Sequence, residues 1–283
     1  MRQTQAIKDL GTAFSNFFHD LKKPSKQRRF SYPKLKRKSL HQSFALWNDQ
    51  FDIDWYKIRI PKLGWVKMHE HLRLCGVILG ARVAFSGGRW FVSIQVDAIT
   101  DDEAAPAGTV AGVDLGITTL ATVSSAYGKQ IEKVTGPKAR QRLLKHTKRL
   151  ARRISKQTHR ARKAGVRKSS RRQSVRQLKL SKLHGRIANI RKDAAHQLTS
   201  DLTRRFQTIV IEDLNVSGMS KNHALAGAVL DGGWYAIRRQ LEYKATMRGG
   251  RVVVADLFYP STKTCFDCCV VVNNLPLSER AWV

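Results

Sequence analysis

The chain is short of acid. Its 283 residues hold 21 Asp and Glu against 52 Lys and Arg, which gives a formal charge of +31 and a pI near 10.7. A surplus of that size selects a polyanionic partner, and nucleic acid is the commonest one. Long apolar runs are missing as well. No stretch approaches the ~18 residues that a membrane-spanning helix needs, so no membrane partner is expected. The opening MRQTQAIKDL has no apolar core of the kind that marks a secretory signal. Cysteine is scarce and clustered: three of the four (Cys75, Cys265, Cys268, Cys269) fall within five residues, which is not a disulfide framework. These absences predict a reducing, cytoplasmic location. A core is not excluded. With 42% hydrophobic residues the chain can fill one large domain or two to three smaller ones, and wholesale disorder is ruled out.

The positive charge is concentrated. Residues 138–192 contain 22 Lys and Arg and no acid, whereas the remaining 228 residues carry an excess of only nine. A solvated basic tail is one reading of such a run. Two features oppose it: the segment is internal, and it has helical periodicity. Leu180, Leu183, Ile187, Ile190, Ala194 and Leu198 recur at spacings of three and four, and Leu143, Leu150 and Ile154 do so more weakly. Gly165 marks a break between two helices. The pattern predicts a helical hairpin with one apolar seam and broad cationic faces. Those faces would present Arg140, Arg142, Lys145, Lys148, Arg149, Arg152, Arg153, Lys156, Arg160, Arg171, Arg172, Arg176 and Lys179 to phosphates, with no base specificity of their own.

Around this segment the organisation changes. Residues 1–23 form an amphipathic pattern, with Ala6, Leu10, Phe14, Phe17, Phe18 and Leu21 on one stripe that is expected to be core. A basic, proline-containing stretch follows. Residues 44–97 alternate as five or so short strands, with turn signals at Asn48-Asp49, Leu63-Gly64 and Gly87-Gly88, which suggests a small barrel or sandwich; Cys75 in this region reads as core. ITDDEAAPAG is the best linker. Beyond it the pattern is α/β: a strand at 110–117, a hairpin to about 134, the basic helices, a strand at 208–213, a helix from Trp234 to Arg248 and a strand at 251–258.

Two acids occupy unusual places, Asp114 in VAGVDLGITTLATV and Glu212 in QTIVIEDLNVSG. A carboxylate in a β run is costly to bury unless it is paired or holds a cation. Two on neighbouring strands suit magnesium, a hard cation that takes carboxylate oxygens and supports in-line phosphodiester cleavage. Ordinary strand-end acids capping a turn are the alternative. Asp213 alternates to the opposite face and reads as structural. Cys265-Phe-Asp-Cys268 is half of a zinc knuckle; a second pair at the usual spacing would begin at about position 284 to 289.

In order along the chain, FSYPKLKRKSLHQSFAL, IRIPKLGWVKM, AGVDLGITTLATVS, TIVIEDLNVSGM and VVVADLFYPSTKTCFDC resemble the TnpB/OrfB proteins of bacterial insertion sequences. These are probable transposases similar to RNA-guided endonucleases and to type V CRISPR effectors. The resemblance implies an α/β, RuvC-like RNase H fold with an inserted basic helical hairpin, preceded by a small β-barrel-like domain and followed by a partial zinc ribbon. It places an N-terminal helix and nucleic-acid-binding barrel at 1–97, a linker at 98–109, the nuclease domain at 110–260 with the hairpin at about 137–204, and the start of the ribbon at 261–283. It makes Asp114 and Glu212 catalytic magnesium ligands and Cys265 and Cys268 a zinc half-site. DNA, a guide RNA encoded by the mobile element and a partner transposase of the same element are the implied partners, in a nucleoid-associated bacterial protein.

Departures from the family pattern set a further expectation. The second cysteine pair and a third catalytic Asp in a DRDxNA-type motif do not occur here, and Asp256 does not occupy that third position. The chain therefore reads as truncated at both ends, binding nucleic acid with impaired cleavage. A non-catalytic DNA- or RNA-binding regulator is the alternative from a different class, and strand transfer by a true transposase is a third.

Overall fold

A computed structural model describes residues 2–34, 42–98, 103–126, 129–166, 170–256, 263–265, 268 and 270–272. The chain divides into two units, residues 1–100 and 101–283.

The first unit opens with α1 (Arg2–Leu21). Its apolar stripe is not the core element that its periodicity predicts: Leu10, Phe18 and Leu21 are exposed, and Phe14 and Phe17 pack on Phe18 of the same helix and meet Tyr32 edge-on at 5.6 and 5.5 Å. The helix packs on its own returning chain, and Lys8 Nζ stands over the Trp47 ring, 4.9 Å from its centroid. Asp20, 1% accessible, holds that return. It accepts from Lys23 Nζ at 2.9 Å, from the Phe30 amide at 2.6 Å and from the Arg29 amide.

Six strands follow: β1 (Gln42–Trp47), β2 (Asp52–Asp54), β3 (Lys57–Ile60), β4 (Gly64–Lys67), β5 (Val77–Ser86) and β6 (Arg89–Asp97). They form two separate antiparallel sheets, β1-β5-β6 and β2-β3-β4, and no closed barrel exists among the described residues. The expected barrel fails because β2, β3 and β4 are three or four residues long and pair only with one another. The β5–β6 turn follows its sequence signal. Gly87 and Gly88 both take positive φ (58° and 81°) between paired Ser86 and Arg89, which matches the strands' right-handed twist. Leu46, Phe51, Ile58, Ile60, Ala81 and Val83 make this unit's core. Cys75, read as core, lies outside it, exposed in the segment before β5, which begins only at Val77.

In the second unit, β7 (Val110–Asp114), β8 (Ala121–Ser125), β9 (Gln130–Val134), β10 (Thr208–Glu212) and β11 (Arg251–Ala255) form one mixed sheet in the order β11-β10-β7-β8-β9. The chain is thus α/β. β7, β10 and β11 run parallel, and β8 and β9 antiparallel. Long helices α2 (Ala139–Lys163) and α3 (Arg171–Arg205) separate β9 from β10. Short α4 (Val216–Met219) and α5 (Ala226–Gly232), then α6 (Trp234–Met247), separate β10 from β11. Ala111, Val113, Ile209 and Ile211 on one sheet face pack with Leu198 and Leu202 of α3 and with Ile237 and Leu241 of α6, all 6% accessible or less.

A polar seam runs through the α3–α6 contact. Thr199 Oγ1 donates to Gln240 Oε1 at 3.0 Å, and Lys244 Nζ donates to Thr199 Oγ1 at 2.7 Å, Ser200 Oγ at 2.8 Å and the His196 carbonyl at 3.1 Å. Burial pushes the Lys244 and His196 pKa values down, with neighbouring cations adding to both. Full satisfaction makes such a seam tolerable and fixes the helices in one register.

Candidate nuclease site and nucleic-acid interface

The register of the three parallel strands decides the site. At their N-terminal ends the Thr208 amide donates to the Thr109 carbonyl (3.0 Å), the Gln207 amide to Thr109 Oγ1 (2.9 Å), the Gly108 amide to Gln207 Oε1 (2.8 Å) and the Arg251 amide to the Gln207 carbonyl (2.8 Å). These bonds align Ile211 with Val113 and Glu212 with Ala255. One step beyond the Ile211–Val113 pair, Glu212 and Asp114 stand level at the C-terminal ends of adjacent strands. Strands lie about 4.8 Å apart, so the two acids are neighbours. Their faces follow from alternation: Ile211 and Val113 are 2% and 3% accessible under the helices, so Glu212 and Asp114 face the other way.

The electrostatics agree with that placement. The Asp114 carboxyl is pushed above the usual carboxylate range, first because the strand ends strip part of its hydration and second because the Glu212 charge opposes its own. A cation lying between two such groups removes that repulsion. Asp213, one residue further, turns away and is taken up by Arg238 of α6, which also bonds Glu242 at 3.1 Å. Asp213 is thus neutralised in place and adds no third negative charge to the pair.

Of the thirteen basic positions singled out, Arg140 and Arg176 are half-buried and the rest exposed. Among the described residues none of them forms an ion pair. Lys145, Lys148, Arg149, Arg152, Arg153 and Lys156 line one shallow concavity on α2. The apolar seam beneath has Leu150 and Ile187 buried, and Gln173 Nε2 of α3 donates to Thr158 Oγ1 of α2 at 2.8 Å.

Cys265 is half-buried and Cys268 exposed, in a turn closed by the Cys265 amide on the Val270 carbonyl (2.8 Å) and a bridge between Thr264 and Val271. Cys269 and most of the expected ribbon lie outside the described residues, as do parts of the expected 98–109 linker. Among the described residues no group of three or more His, Cys, Asp or Glu gathers as a metal cluster. Nor is any described helix long and apolar enough to cross a membrane.

Comparison with known proteins bears on the whole chain. "Putative RNA-guided DNA endonuclease InsQ" of Escherichia coli K12 is 32% identical over 291 residues, covering 97% of this chain and 67% of that protein. The chain belongs to the OrfB family of insertion-sequence proteins. Residues 92–223 match OrfB_IS605, described as a probable transposase, and residues 234–283 match the Cas12f1-like TNB domain. A Streptomyces pristinaespiralis relative named "Putative RNA-guided DNA endonuclease" is 37% identical over 285 residues, 98% of this chain and 65% of its own length. The chain thus spans about two thirds of the length of these OrfB relatives. Among solved structures, a Cas12f1–sgRNA–target DNA complex aligns over 71% of this chain and 40% of that one, at 13% identity and a TM-score of 0.43.

Two features of this OrfB chain had no clear sequence signal. Asp231 of α5 caps α2 across 90 residues of sequence, accepting the Arg140 amide at 3.0 Å and the Gln141 amide at 3.3 Å. Arg238 finds Asp213 from a different helix. The lack of any local capping residue ahead of α2, where Lys138 precedes the helix, was the only hint of the first.

Proposed function

We propose that this chain is the RuvC-like part of an RNA-guided, magnesium-dependent DNA endonuclease of a mobile element. The observation that carries the reading is the levelled pair: Asp114 and Glu212, 98 positions apart in sequence, end adjacent parallel strands on the same face, and the Glu212 charge adds to the burial that makes Asp114 costlier to ionise. Two carboxylates of hard oxygen donors fit magnesium, which binds through one or two carboxylates and keeps its remaining positions for water and phosphate oxygens. When bound there, magnesium supplies activation of water and stabilisation of the departing oxygen of a phosphodiester.

The chain's own residues do the rest. Asp114 and Glu212 would hold the cation through their carboxylate oxygens. Arg238 keeps Asp213 out of the site and fixes the backbone immediately after Glu212. The α2 and α3 cations clamp phosphates of the guide RNA and the RNA–DNA duplex, while base pairing to the guide reads the DNA sequence. The names of the relatives support RNA and DNA as partners. Cys265 and Cys268 supply two of the four ligands that tetrahedral zinc takes, which falls short of a site on the described residues, and no step is assigned to zinc.

The test is cleavage of target DNA by the purified protein with its cognate RNA and magnesium, compared with Asp114→Ala. Metal-dependent cutting that Asp114→Ala abolishes, with DNA binding retained, supports the reading. Steeply salt-dependent binding with no magnesium-dependent product would identify a non-catalytic binder, and joined products would identify strand transfer.

A further inference from the structure

The line of residues that holds the carboxylate pair continues past Asp114. In the β7–β8 register Asp114 stands opposite Thr122, and in the β8–β9 register Thr122 stands opposite Lys133. Directly opposed residues share a sheet face, so Glu212, Asp114, Thr122 and Lys133 form one row across four strands, on the side away from the helices. Ala121 and Val123, on either side of Thr122, are fully buried on the helix side, in keeping with that alternation. The turn joining β7 to β8 is tight. The Gly116 amide donates to the Leu120 carbonyl at 3.3 Å, and a Cβ at Gly116 would come within 2.9 Å of the Thr119 carbonyl oxygen. That closure pins the Asp114–Thr122 pairing.

Thr122 is half-buried, and among the described residues its hydroxyl makes no hydrogen bond. The Asp114 carboxylate accepts none there either. Opposed Cβ atoms lie about 4.5–5.5 Å apart, a gap that a threonine hydroxyl and an aspartate oxygen close by rotation of their side chains alone. Ser124 shows what a hydroxyl on this face does otherwise. Two residues along β8, it donates to the Gly112 carbonyl at 3.4 Å, opposite a residue with no side chain to offer. Lys133 is too distant for the same task, since two strand spacings, about 10 Å, separate it from Asp114.

We propose that Thr122 is the positioning residue of the carboxylate pair: its hydroxyl donates to one Asp114 oxygen and so turns the other toward the cation shared with Glu212. The inference rests on the reading of Asp114 and Glu212 as ligands of one divalent ion. A carboxylate at a strand end rotates about two side-chain bonds, and ion binding must stop that rotation. A donor held directly opposite stops it in advance. Carboxylates that ligate metals are themselves hydrogen-bonded in this way, and losing the outer partner costs about ten- to a hundredfold in metal affinity. Thr122 touches neither the ion nor a substrate in this role; it acts through Asp114.

Manganese affinity, read by electron paramagnetic resonance without nucleic acid, tests this independently of cleavage. Thr122→Val keeps the branched shape and strand preference of threonine but removes the hydroxyl. It should weaken manganese binding by about ten- to a hundredfold. Thr122→Ser keeps the donor and should recover most of the loss. Ser124→Ala, whose hydroxyl already serves the Gly112 carbonyl, should bind manganese like the native protein. Melting temperatures in EDTA should match for the native protein and Thr122→Val, because the hydroxyl aims a carboxylate and does not hold the strand. Native affinity in Thr122→Val, a loss that serine does not recover, or a loss accompanied by a fall in the EDTA melting temperature would each overturn the assignment while leaving the shared ion standing. Absence of a manganese site from the native protein would overturn both.

Discussion

Removing one charge from the carboxylate pair should stabilise the metal-free protein. Asp114 and Glu212 stand level on neighbouring strands, so their charges lie roughly 5 Å apart by strand spacing. Two like charges at that distance repel by about 0.8 kcal/mol in water and about 3 kcal/mol at an effective dielectric near 20. Asp114 is exposed, which places the interaction near the watery end, about 1 kcal/mol. Asp114→Asn should therefore raise the melting temperature in EDTA by roughly 2–4 °C for a unit of this size. The sign with pH follows from the raised Asp114 pKa. The folded state holds this proton more tightly than the unfolded chain. The destabilisation is therefore absent below the unfolded value, grows as pH rises through the window up to the folded pKa, and is complete above it. The variant's advantage should thus be present at pH 7.5 and fade toward pH 4. Magnesium should reverse the ranking: at a hundred times its dissociation constant it adds ~2.7 kcal/mol to the native protein, and far less to Asp114→Asn. Thermal melts in EDTA and in magnesium at both pH values read all of this. An asparagine variant that melts lower than the native protein in EDTA, with equal magnesium stabilisation of both, would refute the paired geometry.

Alanine at Lys148, Arg149 and Arg152 should weaken binding across nucleic-acid sequences and reduce the slope of log K against log salt by roughly 0.7–0.9 per lost phosphate contact, as read by filter binding at several salt concentrations; an unchanged slope would take α2 off the interface. Asp231→Ala strips the cap from α2 and should cost about 0.5–2 kcal/mol in urea unfolding of the second unit, with fraying at residues 139–142 seen by hydrogen exchange; unaltered exchange there would show the cap to be idle. Asp20 has its pKa lowered to about 2, chiefly by the Lys23 hydrogen bond. Its contribution to the 28–30 segment is present above the unfolded carboxylate value and is lost as pH falls through about 2. Asp20→Asn should therefore speed amide exchange at Arg29 and Phe30 at pH 5 and make no difference at pH 1.5; equal protection at pH 5 would refute the anchor.

Much of the second unit was legible from local pattern. Apolar runs at 110–114 and 208–212 with an acid at the end of each gave strands and a candidate pair, and the three-and-four spacing of Leu180 to Leu198 gave α3 its buried face. Register was not legible, because it depends on Gln207 and Thr109 meeting across nearly a hundred residues, and neither side chain advertises that in sequence. α5 escaped notice because AGAVLDG is too rich in glycine to read as helix, yet it carries the Asp231 cap. The first unit was the harder case. Alternation identified most strands but not their partners, so two small open sheets looked like one barrel. The stripe on α1 read as core because periodicity reports which face is apolar, and not what covers it.

The shared cation is tested most directly by manganese, a spectroscopic substitute for magnesium, titrated into the native protein, Asp114→Ala and Glu212→Gln and followed by electron paramagnetic resonance. A site present in the native protein and lost in both variants is the predicted result. Equal manganese affinity in all three, or a site that survives either substitution alone, would contradict the claim that these two carboxylates hold one ion between them.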